Sequence, residues 1–390
     1  MPQDFKYKIF GGERAFMNKR AEFEKILQST VIDNSLPPDS AREAIIRLQQ
    51  WILRNLPKRL YRFRSNTDYT IKALRNDEIW GSNIWEFNDP YECVPFCDFS
   101  KLHRILNEEM AFDQVQTVIR VLKSEKIPEN VVRVFGKTAI DHLIHEVSDA
   151  YDPESFRQAY EVIKRQIIQN ASENLDELIP EFFEGILWEE SRRYIACFCE
   201  ENDSSLMWGH YANGHRGLCL EYDFSEIVKP CASECQQSYQ CNNLLLSPSI
   251  APVVYKTKRQ DATAHMLTLL QMIQEDKQNV SRGIYRRDML LIAKCLLTKS
   301  CDWSYEKEWR IFSPYFSNLE SDYGVILHAK PRAVYLGART VSKFDEEIAE
   351  ICGEKKIPCY KMIQNFYGNS FTLTPVPYLD YKSVANNMIE

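Results

Sequence analysis

The chain has 390 residues, 44% of them hydrophobic and 26% charged, with a formal net charge of −7. That length points to one large core with insertions or to two domains, and the acid excess excludes general nucleic-acid coating while leaving room for a local basic cleft. No run of about 18 apolar residues occurs, and Met1–Lys8 lacks an apolar signal core, so a cytoplasmic protein with no membrane partner is expected.

Residues 1–57 read as a helical extension. Ser40 and Glu43 have the spacing of a capping box. Ile45, Leu48, Ile52 and Leu56 then repeat at helical spacing with Trp51 beside them, and Pro57 ends the helix. Leu60-Tyr61-Arg62-Phe63-Arg64 reads as a strand with Tyr61 and Phe63 on one face and Arg62 and Arg64 on the other. Thr67 is placed to cap a helix over Asp68–Arg75, whose inner stripe is Ile71 and Leu74. A short strand over Glu78–Ser82 and a turn at Phe87-Asn88-Asp89-Pro90 follow.

Residues 100–190 are helix-rich, with helical periodicity over Ala111–Lys123 and Ser155–Asn170, and read as an insertion without a chemical constellation. Beyond it come a buried strand at Tyr194–Cys199, a helix or tight turn at Ser204–Ala212, a turn at Gly214–Gly217 and a strand at Leu218–Tyr222. A long polar loop spans 229–250. Then follow a strand at Val253–Lys256, helices over Ala262–Ile273 and Tyr285–Thr298, and strands at Trp309–Phe312 and Ala333–Leu336. Short strands interleaved with single helices and long insertions predict an α+β fold with a mixed sheet. The organisation expected is an extension over 1–57, a core over 58–340 with its insertion near 100–190, and a C-terminal extension over 341–390.

The chain has 12 cysteines. Cys93 and Cys97, Cys197 and Cys199, and the group Cys231, Cys235 and Cys241 lack the paired spacing of a zinc site, so reduced thiols and no structural metal are expected.

Polar residues concentrate in Leu60–Arg64, Cys197–Asp223 and Tyr305–Ile311, which are expected to line one polar cleft. In the last segment Glu306, Glu308 and Arg310 share one strand face while Trp309 and Ile311 face the core, so the carboxylates are expected to meet solvent or a cleft. The alternative is a Glu–Arg ladder worth roughly 0.2–1 kcal/mol per pair. His210 and His215 read as loop histidines or as a general base.

Leu60-Tyr61-Arg62-Phe63-Arg64-Ser65, Phe87-Asn88-Asp89-Pro90, Met207-Trp208-Gly209-His210-Tyr211-Ala212 and Tyr305-Glu306-Lys307-Glu308-Trp309-Arg310-Ile311 resemble the markers of a bacterial family known as domain of unknown function 2971, over roughly residues 58–340. That family supplies no chemistry. The order of elements also resembles the ADP-ribosyltransferase fold, in which a first strand carries an Arg or His, a middle strand precedes a Ser or Tyr element and a late strand carries Glu. This resemblance implies a mixed, split sheet and NAD as a substrate. It implies that Arg62 or Arg64 contacts the NAD diphosphate and ribose, and that Tyr211 with Ser204 or Ser205 holds the nicotinamide. Glu308 would be the catalytic residue, stabilising an oxocarbenium-like ribosyl transition state. Glu306, Trp208 and His210 join as ligand contacts, the last two outside the usual transferase pattern. The partners implied are a nucleotide and a macromolecular acceptor, protein or nucleic acid. Two other readings stand beside it. One is a metal-dependent phosphodiesterase or nuclease using Asp89, Glu221, Asp223 and Glu308. The other is a non-enzymatic nucleotide sensor or interaction protein.

Overall fold

A computed structural model describes residues 19–33, 36–98, 100–102, 137–148, 194–225, 250–268, 288–312, 324–366, 368–369 and 371–387, with isolated positions between 121 and 165. The expected helices at Ala111–Lys123 and Ser155–Asn170 lie largely outside these residues, as does the 229–250 loop with its cysteines.

The N-terminal part forms two helices, α1 (residues 19–29) and α2 (Pro38–Asn55). α2 begins two residues before Ser40, with proline in its first turn and no side-chain cap, so the Ser40–Glu43 capping box does not form. Proline's fixed φ and missing N–H suit a first turn, and they set the start instead. Phe23, Leu27, Leu48 and Trp51 are all buried in the main core, so these helices cover the sheet directly.

Strand β1 (Leu60–Arg64) leads into α3 (Asp68–Asn76), where the Thr67 hydroxyl accepts from the Thr70 N–H at 3.3 Å. Then come β2 (Glu78–Trp80), a 3-10 turn at Ile84–Glu86 and, within the insertion, α4 (Lys137–Ser148). β3 (Ile195–Cys199), α5 (Ser205–Tyr211) and β4 (Leu218–Tyr222) fall where the sequence places them. β5 (Ile250–Pro252), β6 (Val254–Lys256), α6 (Leu291–Leu296) and β7 (Thr298–Ser300) follow. A 3-10 helix at Cys301–Glu306 precedes β8 (Glu308–Phe312), and β9 (Val325–His328) and β10 (Ala333–Leu336) come next. Past residue 340 lie α7 (Ser342–Lys355), β11 (Cys359–Gln364), β12 (Leu373–Pro377) and α8 (Tyr378–Asn387).

The fold is α+β with a mixed sheet. Eight strands form one sheet in the order β12-β11-β10-β4-β1-β3-β8-β5, and the described strands outside it form two two-stranded sheets, β2-β9 and β6-β7. Within the large sheet only β10 and β11 run parallel, which α7 makes possible as the crossover between them. Residues 341–390 therefore contribute two strands to the main sheet.

The two faces of that sheet carry separate cores. Leu60, Phe198, Leu220 and Trp309 pack with Phe23 and Trp51 on one face. Tyr61, Phe63, Cys199 and Tyr335 pack with Met207 and Trp208 of α5 on the other. Gly217 and Gly337 allow the strand ends to approach, since a Cβ on Gly217 would sit 2.0 Å from the Arg64 carbonyl oxygen and one on Gly337 2.2 Å from that of His215.

Candidate functional site

The strand face that carries Glu308 and Arg310 is buried, contrary to the expectation that it meets solvent. Glu306, Glu308 and Arg310 are 3%, 2% and 0% exposed, and Glu92 and Lys299 join them at 5% and 6%. Glu306 is not part of the strand. It ends the preceding 3-10 helix, and Lys307 in the left-handed conformation (φ 46°) turns the chain so that Glu306 and Glu308 both reach one cation.

That cation is Lys299. Its Nζ lies 2.6 Å from Glu306 Oε2, 3.2 Å from Glu308 Oε2 and 3.5 Å from Glu92 Oε2, with the Trp303 ring centroid 5.0 Å away. Arg310 donates from Nε to Glu308 Oε1 at 2.7 Å and from Nη2 to Glu308 Oε2 at 3.1 Å, a bidentate grip. Its remaining donors reach the Leu296 carbonyl at 2.5 Å, the Cys93 sulfur at 3.7 Å and the Glu92 carboxylate. The Tyr211 hydroxyl donates to Glu306 Oε1 at 2.5 Å, and the Tyr255 hydroxyl accepts the Glu308 N–H at 2.7 Å.

Three carboxylates thus share two cations. Burial pushes the Glu308 carboxyl up to about 7, against the pull of Lys299. Burial opposes the Lys299 ammonium, but Glu308 and Glu306 outweigh it and hold the proton more tightly than in water. Burial and Glu306 raise the Tyr211 hydroxyl, which therefore stays a donor. Burial and Glu308 also raise the Cys197 thiol well above its ordinary value, which leaves it unreactive.

The network brings together three of the four sequence markers. Asn88 lies beside the Tyr211 hydroxyl, Tyr211 bonds Glu306, and Glu306 is joined through Lys299 to Glu308. The fourth marker, β1, is central in the sheet, but its arginines point elsewhere. Tyr61 pairs with Cys199 and Cys199 with Glu308, so these side chains share a face. Arg62 alternates with Tyr61 and stands 5.5 Å from the Phe198 ring centroid on the opposite face, which Arg64 shares. Arg62 and Arg64 therefore do not line a common cleft with Glu308.

The other expected contacts serve the fold. Ser204 is the N-cap of α5, accepting from the Met207 N–H at 3.4 Å, and Ser205 is exposed in its first turn. Trp208 is fully buried, edge-on to Phe63, with its indole N–H on the Asn202 carbonyl at 2.7 Å. His210 is exposed near Tyr305. Of the acids in the metal-dependent reading, Glu221 accepts from the Tyr335 hydroxyl at 2.6 Å and Asp223 pairs with Arg332 at 3.0 Å. Among the described residues no cluster of three or more His, Cys, Asp or Glu is arranged to hold a metal ion.

With this geometry in view, the chain can be set beside known proteins. Residues 207–311 match the family described as Protein of unknown function (DUF2971). No curated protein and no solved structure matches the chain. The DUF2971 match begins in α5 and ends in β8, so it contains Tyr211, Lys299, Glu306, Glu308 and Arg310. It leaves out β1 and the Asn88-Asp89 turn, which the resemblance over 58–340 includes.

Next to the ionic network lies a pocket of about 380 Å³ whose lining includes Lys256, Lys258, Arg259, Lys299, Asp89 and Tyr91. Lys299 belongs to both. The signal for this pocket in the sequence is the basic run Lys256-Thr257-Lys258-Arg259, which lacks the periodicity of a strand or helix face. Tyr91 is 67% exposed at the rim, and the Arg259 guanidinium lies 5.5 Å from its ring centroid and 5.8 Å from that of Phe96. No described helix is long and apolar enough to cross a membrane.

Proposed function

We propose that the pocket binds a phosphorylated ligand of nucleotide size, and that the protein works as a nucleotide-binding sensor. The observation that carries this reading is the basic run in the lining: exposed Lys258 and Arg259 across from Asp89, beside Lys256, which also pairs with Glu24 at 3.6 Å, while Lys299 is already held by the buried carboxylates. Lys258 and Arg259 together suit a phosphate group. A volume near 380 Å³ is in the range of small-molecule sites, typically about 300–1,000 Å³. The exposed Tyr91 ring beneath Arg259 offers a platform on which a base can stack. Isothermal titration with ATP, ADP-ribose and adenosine tests the reading. ATP and ADP-ribose bind with an affinity that falls as salt rises, and adenosine does not bind. Equal affinity for adenosine and ATP sinks it.

Ribosyl transfer from NAD is a second reading. Its support is that Tyr211, Glu306 and Glu308 are joined through Lys299 at the pocket wall. It requires Glu308 to leave Arg310 and reach a ribose. Incubation with NAD tests it through nicotinamide release, and release that persists unchanged in Glu308→Gln removes Glu308 from the chemistry.

A further inference from the structure

A second feature stands on the far face of the sheet. Arg62 is 7% exposed on the central strand β1. Its Nη2 donates to the Trp80 carbonyl, while its Nη1 is buried with no hydrogen-bond partner among the described residues. Arg64 follows two residues later on the same face, about 7 Å away along an extended strand. Among the described residues no carboxylate forms an ion pair with either guanidinium; the neighbours on that face include the Phe198 ring, Tyr222, Leu218 and Leu220. Burial lowers both guanidinium values, Arg62 to about 9, with the Arg64 charge the next contribution. Arginine keeps its proton at neutral pH, so both are cations. A buried cation is ordinarily paired or neutralised, because desolvation penalises a lone charge. Here two like charges stand on one strand face, and one buried donor of Arg62 has no partner among the described residues.

We propose that Arg62 and Arg64 form a binding site for a small dianionic oxyanion, a phosphate group, on the face of the sheet opposite the basic pocket. Charge selects the class. Two guanidiniums are neutralised by a phosphate dianion, whereas a carboxylate would leave one positive charge over. Arg62 contributes the buried Nη1 donor and the half-buried Arg64, two residues on along the same face, the second charge. The site stands independently of the nucleotide reading of the pocket, since it shares no residue with it.

The test is the thermal midpoint of the purified protein in inorganic phosphate, in glycerol phosphate and in acetate, at matched ionic strength. Phosphate raises the midpoint in a saturable way and acetate does not. A response to glycerol phosphate as large as to phosphate assigns the site to a phosphomonoester, and a response to inorganic phosphate alone assigns it to the free ion. The phosphate response is lost in Arg62→Met and in Arg64→Gln and persists in Lys258→Glu, whose change lies in the pocket. Arg64→Gln, at a half-buried position, keeps the test valid should Arg62→Met fail to fold. No phosphate response in the wild type, a response that survives both arginine variants, or one lost only in Lys258→Glu overturns the proposal.

Discussion

Arg310 holds the carboxylate of Glu308, two residues before it on the same strand, through two hydrogen bonds of 2.7 and 3.1 Å. Side chains at this spacing lie on one strand face, so strand geometry alone brings the pair together. Folding then buries it and brings Lys299, Glu306 and Glu92 to it from other segments. With three carboxylates facing two cations, the cluster favours keeping one extra proton.

That proton predicts a pH dependence. The Glu308 carboxyl rises in the folded protein from an ordinary 4.5 to about 7. Between those values the folded state binds more protons than the unfolded state, so stability falls as pH rises from about 4.5 to 7 and then levels off, by up to about 3 kcal/mol. Urea unfolding across this range in wild type and in Glu308→Gln checks it. The variant lacks this part of the slope.

Lys299→Met removes one of the two cations and leaves buried carboxylates unmatched. It destabilises by about 3–5 kcal/mol in denaturant unfolding. Adding Glu306→Gln restores part of the loss, because the neutral amide no longer needs the ammonium. Additive losses in the double variant would show that the two residues do not interact.

Tyr211→Phe deletes the donor to Glu306 and leaves a buried oxygen with one partner fewer. The expected cost is about 1–3 kcal/mol, with the unfolding m-value unchanged.

Gly217→Ala places a methyl group 2.0 Å from the Arg64 carbonyl oxygen, where backbone rather than a flexible side chain must yield. A loss of more than about 4 kcal/mol is expected, visible as little soluble protein or a much lower unfolding midpoint. Gly209→Ala, with nothing within 4 Å of its new Cβ, is the tolerated control.

Much of the fold was legible because alternation and caps are local signals. β1, β4 and β10 occupy the residues that alternation assigns them, and Thr67 caps its helix as its position predicts. The partners in the ionic cluster were not legible. Lys299 sits in a three-residue strand after an apolar helix, and Glu92 follows a turn, so neither carries a periodic signal of its role. Burial of the Glu308 face depends on what packs over it, here the Tyr255 and Tyr211 segments, and strand periodicity alone cannot say which face is covered. The ordered resemblance put Arg62 and Glu308 in one site, but pairing through Tyr61 and Cys199 sets them on opposite faces.

The most direct measurement is calorimetric titration of ATP into wild type and Lys258→Glu. Lys258 lines the pocket and is exposed, so its replacement tests the ligand contact with little effect on the fold. The pocket reading predicts saturable binding to wild type and a loss of at least about tenfold in the variant, equivalent to about 1.4 kcal/mol. No heat of binding in wild type, or equal affinity in both proteins, contradicts it.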